Sequence, residues 1–498
     1  MRPDFTPIPD EAFVGGKWAQ VSGPASEIVD PATGRLLQTV SQSTADDVDA
    51  AVAAGTAASS DPDWRRMAPH HRAAYLRRLG DLVERDADRL ATLQTFNTGK
   101  SIAETRALAG SAAGTFRYFA SVLETYDESM TVPRGDYRTW VQHEPIGVIG
   151  AIAPWNSPIA SDAQKLAPAL AAGNAVVLKP AEWTPLVSLA LARLVEEAGI
   201  PAGLVSVLPG RGSIVGDAIV RHPGVGKVSF TGGTSTGRGL AHQAAEKLMP
   251  VSLELGGKSP TVVLDDADVD QAIAGVMYGI FSSSGQSCVA GSRLFVHDSL
   301  YETFMDKLVA STEALPVGDG FDPATRVGPL VHRKHRDSVA AYVDSARVDG
   351  GRIRCGGRAP DDPALAEGSY YLPTVIDGLD ADAKVSREEI FGPVLVAFGF
   401  SDEDDLVRKA NDSVYGLAAG IWTSDYRRAL RLADRLEAGN VWINTYKAFS
   451  ISTPFGGVKE SGLGTEKGRE GIAAYSRVKS VYLGLDPEPN PWAGVSGA

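Results

Sequence analysis

The sequence predicts an α/β protein of more than one domain, and three observations carry that reading. Its 498 residues exceed the roughly 250–300 at which a single hydrophobic core stops growing. From residue 146 short apolar runs, IGVIGAIAP, AVVLKP, LVSVLPG, KVSFTGG and PVSLELGG, end in turn residues and alternate with helical stretches, the signature of a parallel sheet. A second block of the same texture begins near residue 257, with strands suggested by RLFVHD, VLVAFGF and NVWINTY.

The elements follow in order. The N-terminus, MRPDFTPIPDEAFVGG, has prolines and acids where a leader needs a basic start and an apolar run, so it is read as untargeted. Residues 44–58 and 70–125 read as helices, with Tyr75, Leu79, Leu82 and Val83 at helical spacing. Acids alternate with the arginines there, which marks a solvated face and not an RNA patch. Residues 145–161 are uncharged, but prolines, Trp155, Asn156 and serines interrupt them, so they do not form a membrane span. A helix is expected over 185–198, with Thr184 as cap, Pro185 in the first turn and Gly199 ending it. HRKHRD places His332 and His335 three apart among basic residues, which suits a solvated helix better than a metal site; no metal is expected. The closing LDPEPNPWAGVSGA has little to bury and reads as a loosely docked tail.

A net charge of −13 argues against nucleic acid or an anionic membrane as main partner, leaving small molecules. Two cysteines, Cys288 and Cys355, give no disulfide framework and point to a reducing compartment, the cytoplasm.

Five short segments carry chemistry. SSSGQSCVAGSR (282–293) sets Cys288 among short side chains that leave room beside the sulfur. FTGGTSTGRG reads as a strand ending at Phe230, a turn at Gly232 and Gly233, and a helix from near Thr234 whose first amides suit a phosphate. The earlier GRGSIVG (210–216) lacks the third glycine of a dinucleotide fingerprint. VVLKPAEWTP puts Lys179 and Glu182 beyond a strand's carboxyl end, as holders of ribose hydroxyls or as an exposed pair beside a helix cap. ELGGKSP ends a strand at Glu254, where partial desolvation would raise a carboxyl toward a useful base, unless it faces solvent. PWN offers the Asn156 amide to a developing oxyanion.

PWN, KPAE, FTGG, ELGGK, GQSC, EEIFGP and PFGG stand together in the order in which the aldehyde dehydrogenase superfamily has them, across nearly the whole chain. The sequence resembles that superfamily, in its non-phosphorylating, hydrolytic branch. The resemblance implies a Rossmann-like cofactor domain at 1–122 and 145–256, a second α/β catalytic domain at 257–455, and a small β oligomerisation arm with the C-terminal tail at 123–144 and 456–498. RTWVQHEP and KSVYLGL are expected to pair across subunits of a dimer or tetramer.

The same resemblance implies the roles. Cys288 attacks the aldehyde as a thiolate, Asn156 and the Cys288 amide hold the oxyanion, and collapse reduces the nicotinamide and leaves a thioester. Glu254 activates the water that hydrolyses it; relatives that pass the acyl group to coenzyme A generally lack this glutamate. Lys165 and Glu466 relay protons. Cofactor contacts fall to Ile152, Pro154, Trp155, Lys179, Glu182, Phe230, Gly232, Gly233, Thr236, Leu255, Glu389 and Phe391. Glu182 would repel the extra phosphate of NADP, so NAD is expected; Gly233 replaces a serine often found there. SPIASDAQK and Ser282 stand where bulky groups line the pocket for apolar aldehydes, which predicts a roomy, polar pocket and a small polar or acidic aldehyde. Lys447 either attracts such a substrate or faces solvent. A cysteine peptidase would need a histidine partner motif, and none is recognisable among eight histidines.

Overall fold

A computed structural model describes residues 2–486 and Trp492. Most of the tail read as loosely docked, 487–491 and 493–498, lies outside the described residues.

The first sheet is parallel through its middle, in the order Val205–Val207, Ala175–Lys179, Val148–Ile152, Val225–Thr231 and Val251–Glu254. In chain order this is 3-2-1-4-5, so the topology switches between the strands ending at Ile152 and at Thr231. Ligands of doubly wound sheets bind beyond the carboxyl ends of the strands at such a switch. Antiparallel strands close it: Ala12–Val14 and then Lys17–Ala19 on one side, and Gly462–Leu463, from far along the chain, on the other. The second sheet runs Arg352–Cys355, Thr374–Asp377, Val394–Phe400, Arg293–His297, Pro260–Val263, Ala418–Trp422 and Asn440–Ile443, all parallel except the first pairing. The buried strands are apolar on both faces, as expected where helices cover both sides.

The helical stretch read as 70–125 is three helices, Pro69–Arg85, Ala87–Thr98 and Ile102–Glu124. Asp86 leaves helical geometry at φ −95° and ψ 11°. Gly99 then turns left-handed (φ +76°), where a Cβ would meet Pro329 at 2.5 Å, so only glycine fits. Ser101 and Glu104 restart the chain with a reciprocal capping box. At the later helix, Leu186–Glu197, Pro185 holds the cap position and Thr184 Oγ1 donates instead to the Trp155 carbonyl at 3.3 Å. GRGSIVG becomes a π-helical turn, Gly212–Gly216.

Tyr137–Pro145 and Ser476–Gly484, expected to pair across subunits, pair with each other within the chain over nine residues. A hairpin-like ribbon satisfies more backbone groups locally than two separate strands awaiting a partner. Among the described residues no helix is long and apolar enough to cross a membrane.

Candidate active site

Cys288 lies half-buried just past a short helical turn, Ser282–Gly285, whose last three residues are left-handed: Ser283 at φ +57°, Ser284 at +55° and Gly285 at +72°. Left-handed non-glycine residues persist only where surroundings over-determine them. Here Ser283 donates its amide and hydroxyl to Glu104 Oε1 at 2.6 and 3.1 Å, Ser284 Oγ donates to the Gly328 carbonyl at 2.8 Å, and Gln286 Oε1 accepts from the Val331 amide at 2.8 Å. A Cβ on Gly285 would sit 2.0 Å from the Gly392 carbonyl oxygen. The short side chains therefore serve a tightly packed turn, where the sequence had suggested room beside the sulfur.

Glu254 ends its strand and is buried, with Oε2 lacking a hydrogen-bond partner. Burial, reinforced by the Glu466 carboxylate, pushes its carboxyl well above the usual range. Three residues on, Gly257 packs against the Cys288 main chain, where a Cβ would come within 2.6 Å of the Cys288 carbonyl oxygen. The amide of Gly257 also donates to Glu389 Oε1 at 3.0 Å. One strand end thus brings Glu254, the Cys288 backbone and Glu389 to a single place. Burial drives the Glu389 carboxyl up to about 7 and the Cys288 thiol up to about 12.

Asn156 donates one amide hydrogen to the Gln286 carbonyl at 3.0 Å, fixing the side chain against the cysteine turn and leaving its second N–H. Among the described residues the Cys288 amide donates to no backbone carbonyl. Lys165, buried on the helix Pro158–Ala171, donates to Glu466 Oε1 at 2.8 Å and to Ser229 Oγ at 2.9 Å, and Ser229 Oγ donates to Glu466 at 3.0 Å. Ser229, missed in the sequence, is buried in the middle of an apolar strand, KVSF, which is the signal that marks it.

Ile152 ends its strand opposite Phe230, the penultimate residue of the adjacent parallel strand, at the topological switch. Past Phe230 the helix Thr234–Ala245 starts with Gly233 at its cap and no side-chain cap bond, and a Cβ on Gly233 would meet nothing within 4 Å. Uncapped first-turn amides facing open ground fit a pyrophosphate. Gly232, Gly233 and Thr236 stand at this opening, and Leu255 packs under it against Gly237. Lys179 is buried with Nζ donating to the Pro180 carbonyl at 2.6 Å, and desolvation lowers its ammonium to about 8. Glu182 nearby is exposed. These donors and acceptors fit a dinucleotide.

Pro154 leads into Trp155, whose ring meets Phe391 edge-on at 5.1 Å and His335 at 5.3 Å. His335, read as solvated, is largely buried with Nε2 2.8 Å from the Phe391 carbonyl oxygen, and His332 stacks on Trp183 at 5.3 Å. Helical periodicity turns this face of Arg333–Val348 onto the rings, overriding the basic pattern. Among the described residues no cluster of metal-ligating side chains occurs. Lys447 does not face solvent: its Nζ donates to Ser282 Oγ at 2.9 Å. A cavity of about 960 Å³ lies behind the turn between Ile102–Glu104 and Met277–Ser282 and does not include Cys288.

A cysteine, an unpaired buried carboxyl and a side-chain amide stand near strand ends whose uncapped helix amides fit a dinucleotide, the arrangement of an α/β oxidoreductase. Residues 18–481 match the model of the aldehyde dehydrogenase family. A phenylacetaldehyde dehydrogenase of Pseudomonas fluorescens is 43% identical over 486 residues, 96% of each chain. A betaine aldehyde dehydrogenase of Brucella anthropi is 40% identical over 482 residues, 96% of this chain and 98% of the relative. Among solved structures, the NAD+ complex of an aldehyde dehydrogenase from Bacillus cereus superposes with a TM-score of 0.93 at 38% identity, covering 96% of each chain. A betaine aldehyde dehydrogenase from Staphylococcus aureus in complex with NAD+ gives 0.95 at 35% identity, covering 97% of each. The chain belongs to the aldehyde dehydrogenase family and is an oxidoreductase acting on aldehydes.

Proposed function

We propose that this enzyme oxidises a small polar aldehyde to its carboxylic acid with NAD, through a thioester on Cys288. The observation that carries the reading is the buried, unpartnered Glu254 carboxyl at the strand end that also packs against the Cys288 backbone. NAD, when bound, supplies the electron acceptor. Lys179 and Glu182 would hold its ribose hydroxyls, the amides at Gly232–Thr236 its pyrophosphate, and Glu389 and Phe391 its nicotinamide end, with Ile152, Pro154, Trp155, Phe230 and Leu255 shaping the groove. An acidic residue at 182 disfavours the extra phosphate of NADP.

Cys288 Sγ, as the thiolate once its proton has left to solvent, bonds to the aldehyde carbon. The second Asn156 N–H and the Cys288 amide bind the oxygen that becomes negative. Once the carbon is oxidised, Glu254 takes a proton from water, the hydroxide displaces the thiolate, and the acid leaves. The proton passes toward Glu466, Ser229 and Lys165, which are already hydrogen-bonded to one another. Overall, aldehyde, water and NAD+ give carboxylate, NADH and two protons. The functional particle is a homo-oligomer, supported by the exposed apolar ribbon, and the cofactor domain, catalytic domain and arm fall at 1–122 with 145–256, 257–455, and 123–144 with 456–498.

Incubation with NAD+ and an aldehyde panel should produce NADH, and Cys288→Ser should abolish it with the protein still folded. NADH formation that survives Cys288→Ser removes the covalent route.

A further inference from the structure

Three ammonium groups near Cys288 have no part in the steps above. Lys447 has a left-handed backbone (φ +53°) and follows Tyr446, whose hydroxyl donates to the Val289 carbonyl at 3.0 Å, so the lysine is pinned beside the cysteine turn. Its Nζ donates to Ser282 Oγ at 2.9 Å. Lys467 is left-handed too (φ +60°), and its Nζ stands 4.6 Å from the centre of the Phe449 ring and 4.9 Å from that of Phe455. Lys100 is buried, and its charge is felt at Lys447 and Cys288.

Two strained, partly buried lysines whose nearest partners are a hydroxyl and two aromatic faces are held at a cost that a surface lysine does not bear. The groups facing Lys447 are Lys100, Glu104 and Cys288; those facing Lys467 are Glu466, Glu254 and Cys288. Desolvation lowers Lys447 to about 7, so an arriving anion would restore its full charge.

Trp442, Phe449 and Phe455 line a recess of about 430 Å³ together with Lys467. Phe455 and Cys288 flank the same buried cluster of Val289, Leu417, Trp442 and Tyr446, and Glu254 Oε1 lies 3.3 Å from where a Cβ would stand on Gly456. Aromatic faces beside a site ordinarily welcome a cationic substrate group. Here the chain's own ammonium already covers two of them.

We propose that Lys447 and Lys467 set the charge of the accepted substrate: the site takes aldehydes carrying a carboxylate and turns away those carrying a quaternary ammonium. This rests on the aldehyde oxidation proposed above and names its substrate class.

The full chain is assayed with NAD+ and three probes: 4-oxobutanoate, its uncharged methyl ester, and betaine aldehyde. The expected order in kcat/KM is carboxylate over ester by at least tenfold, with betaine aldehyde lowest. Lys447→Met should bring the carboxylate-to-ester ratio toward one, through KM more than kcat, and Lys447→Glu should invert it. Lys467→Leu should raise betaine aldehyde relative to the ester by about tenfold or more. A wild-type preference for betaine aldehyde, or a carboxylate-to-ester ratio near one, overturns the proposal. So does a ratio that survives Lys447→Met or, if that variant does not fold, Lys447→Glu. NADH from the ester without charge discrimination defeats this inference alone; no NADH from any probe defeats the oxidation reading as well.

Discussion

Glu254 is an acid placed where its charge is least welcome, and its chemistry follows from that. A carboxyl raised by burial is protonated at pH values where an exposed one is ionised, and a thiol pushed up to about 12 is likewise held as the thiol. Both groups must lose a proton to act. The sign is therefore fixed: turnover rises with pH through the neutral to alkaline range, and falls as acid returns the proton to Glu254. A pH profile of kcat that declines from pH 6 to 9, on the order of that whole span, contradicts this. Glu254→Gln keeps the shape but cannot accept a proton, so a single burst of NADH with roughly 10²-fold or slower steady turnover is expected in rapid-quench assays. Steady turnover at the original rate would remove Glu254 from the hydrolytic role.

At the scale of elements, the turn Ser282–Gly285 shows how far one residue's size can govern catalysis. Gly285→Ala adds a methyl 2.0 Å from the Gly392 oxygen at φ +72°, a combination that costs about 2–5 kcal/mol and shifts the thiol. Thermal unfolding should show a lowered Tm, and NADH formation should drop on the order of 10²-fold. Retained activity and Tm would mean the turn relaxes freely. Glu104 was invisible to motif reading because its obvious task, capping the helix at Ser101, uses Oε2, while Oε1 holds Ser283 far away in sequence. Strand positions were legible because apolar runs ending in glycine have few other uses, as KVSFTGG illustrates. The break at Asp86 was not, since periodicity continues across it. The orientation of His335 and of Lys467 depends on rings contributed by distant segments, which no local pattern encodes.

For the whole molecule, the ribbon of Tyr137–Pro145 and Ser476–Gly484 exposes Val478 at 65%, Tyr482 at 70% and Leu483 at 51%. Isolated two-stranded ribbons are marginal in water, and apolar groups on an open ribbon invite a second copy. Light scattering coupled to gel filtration should give a mass at least twice the 52.4 kDa of one chain, and Tyr482→Lys with Val478→Asp should reduce it. A monomer in the unaltered protein refutes this.

The two-residue strand Gly462–Leu463 completes the first sheet beside Leu253–Glu254, and Glu466 follows directly to meet Lys165. A nascent chain still on the ribosome carries the sheet's central strands well before residues 462–466, and until those residues join it the reaction chamber is unfinished. Reactivity thereby waits on that short segment, and a message cut short before it yields an inert product.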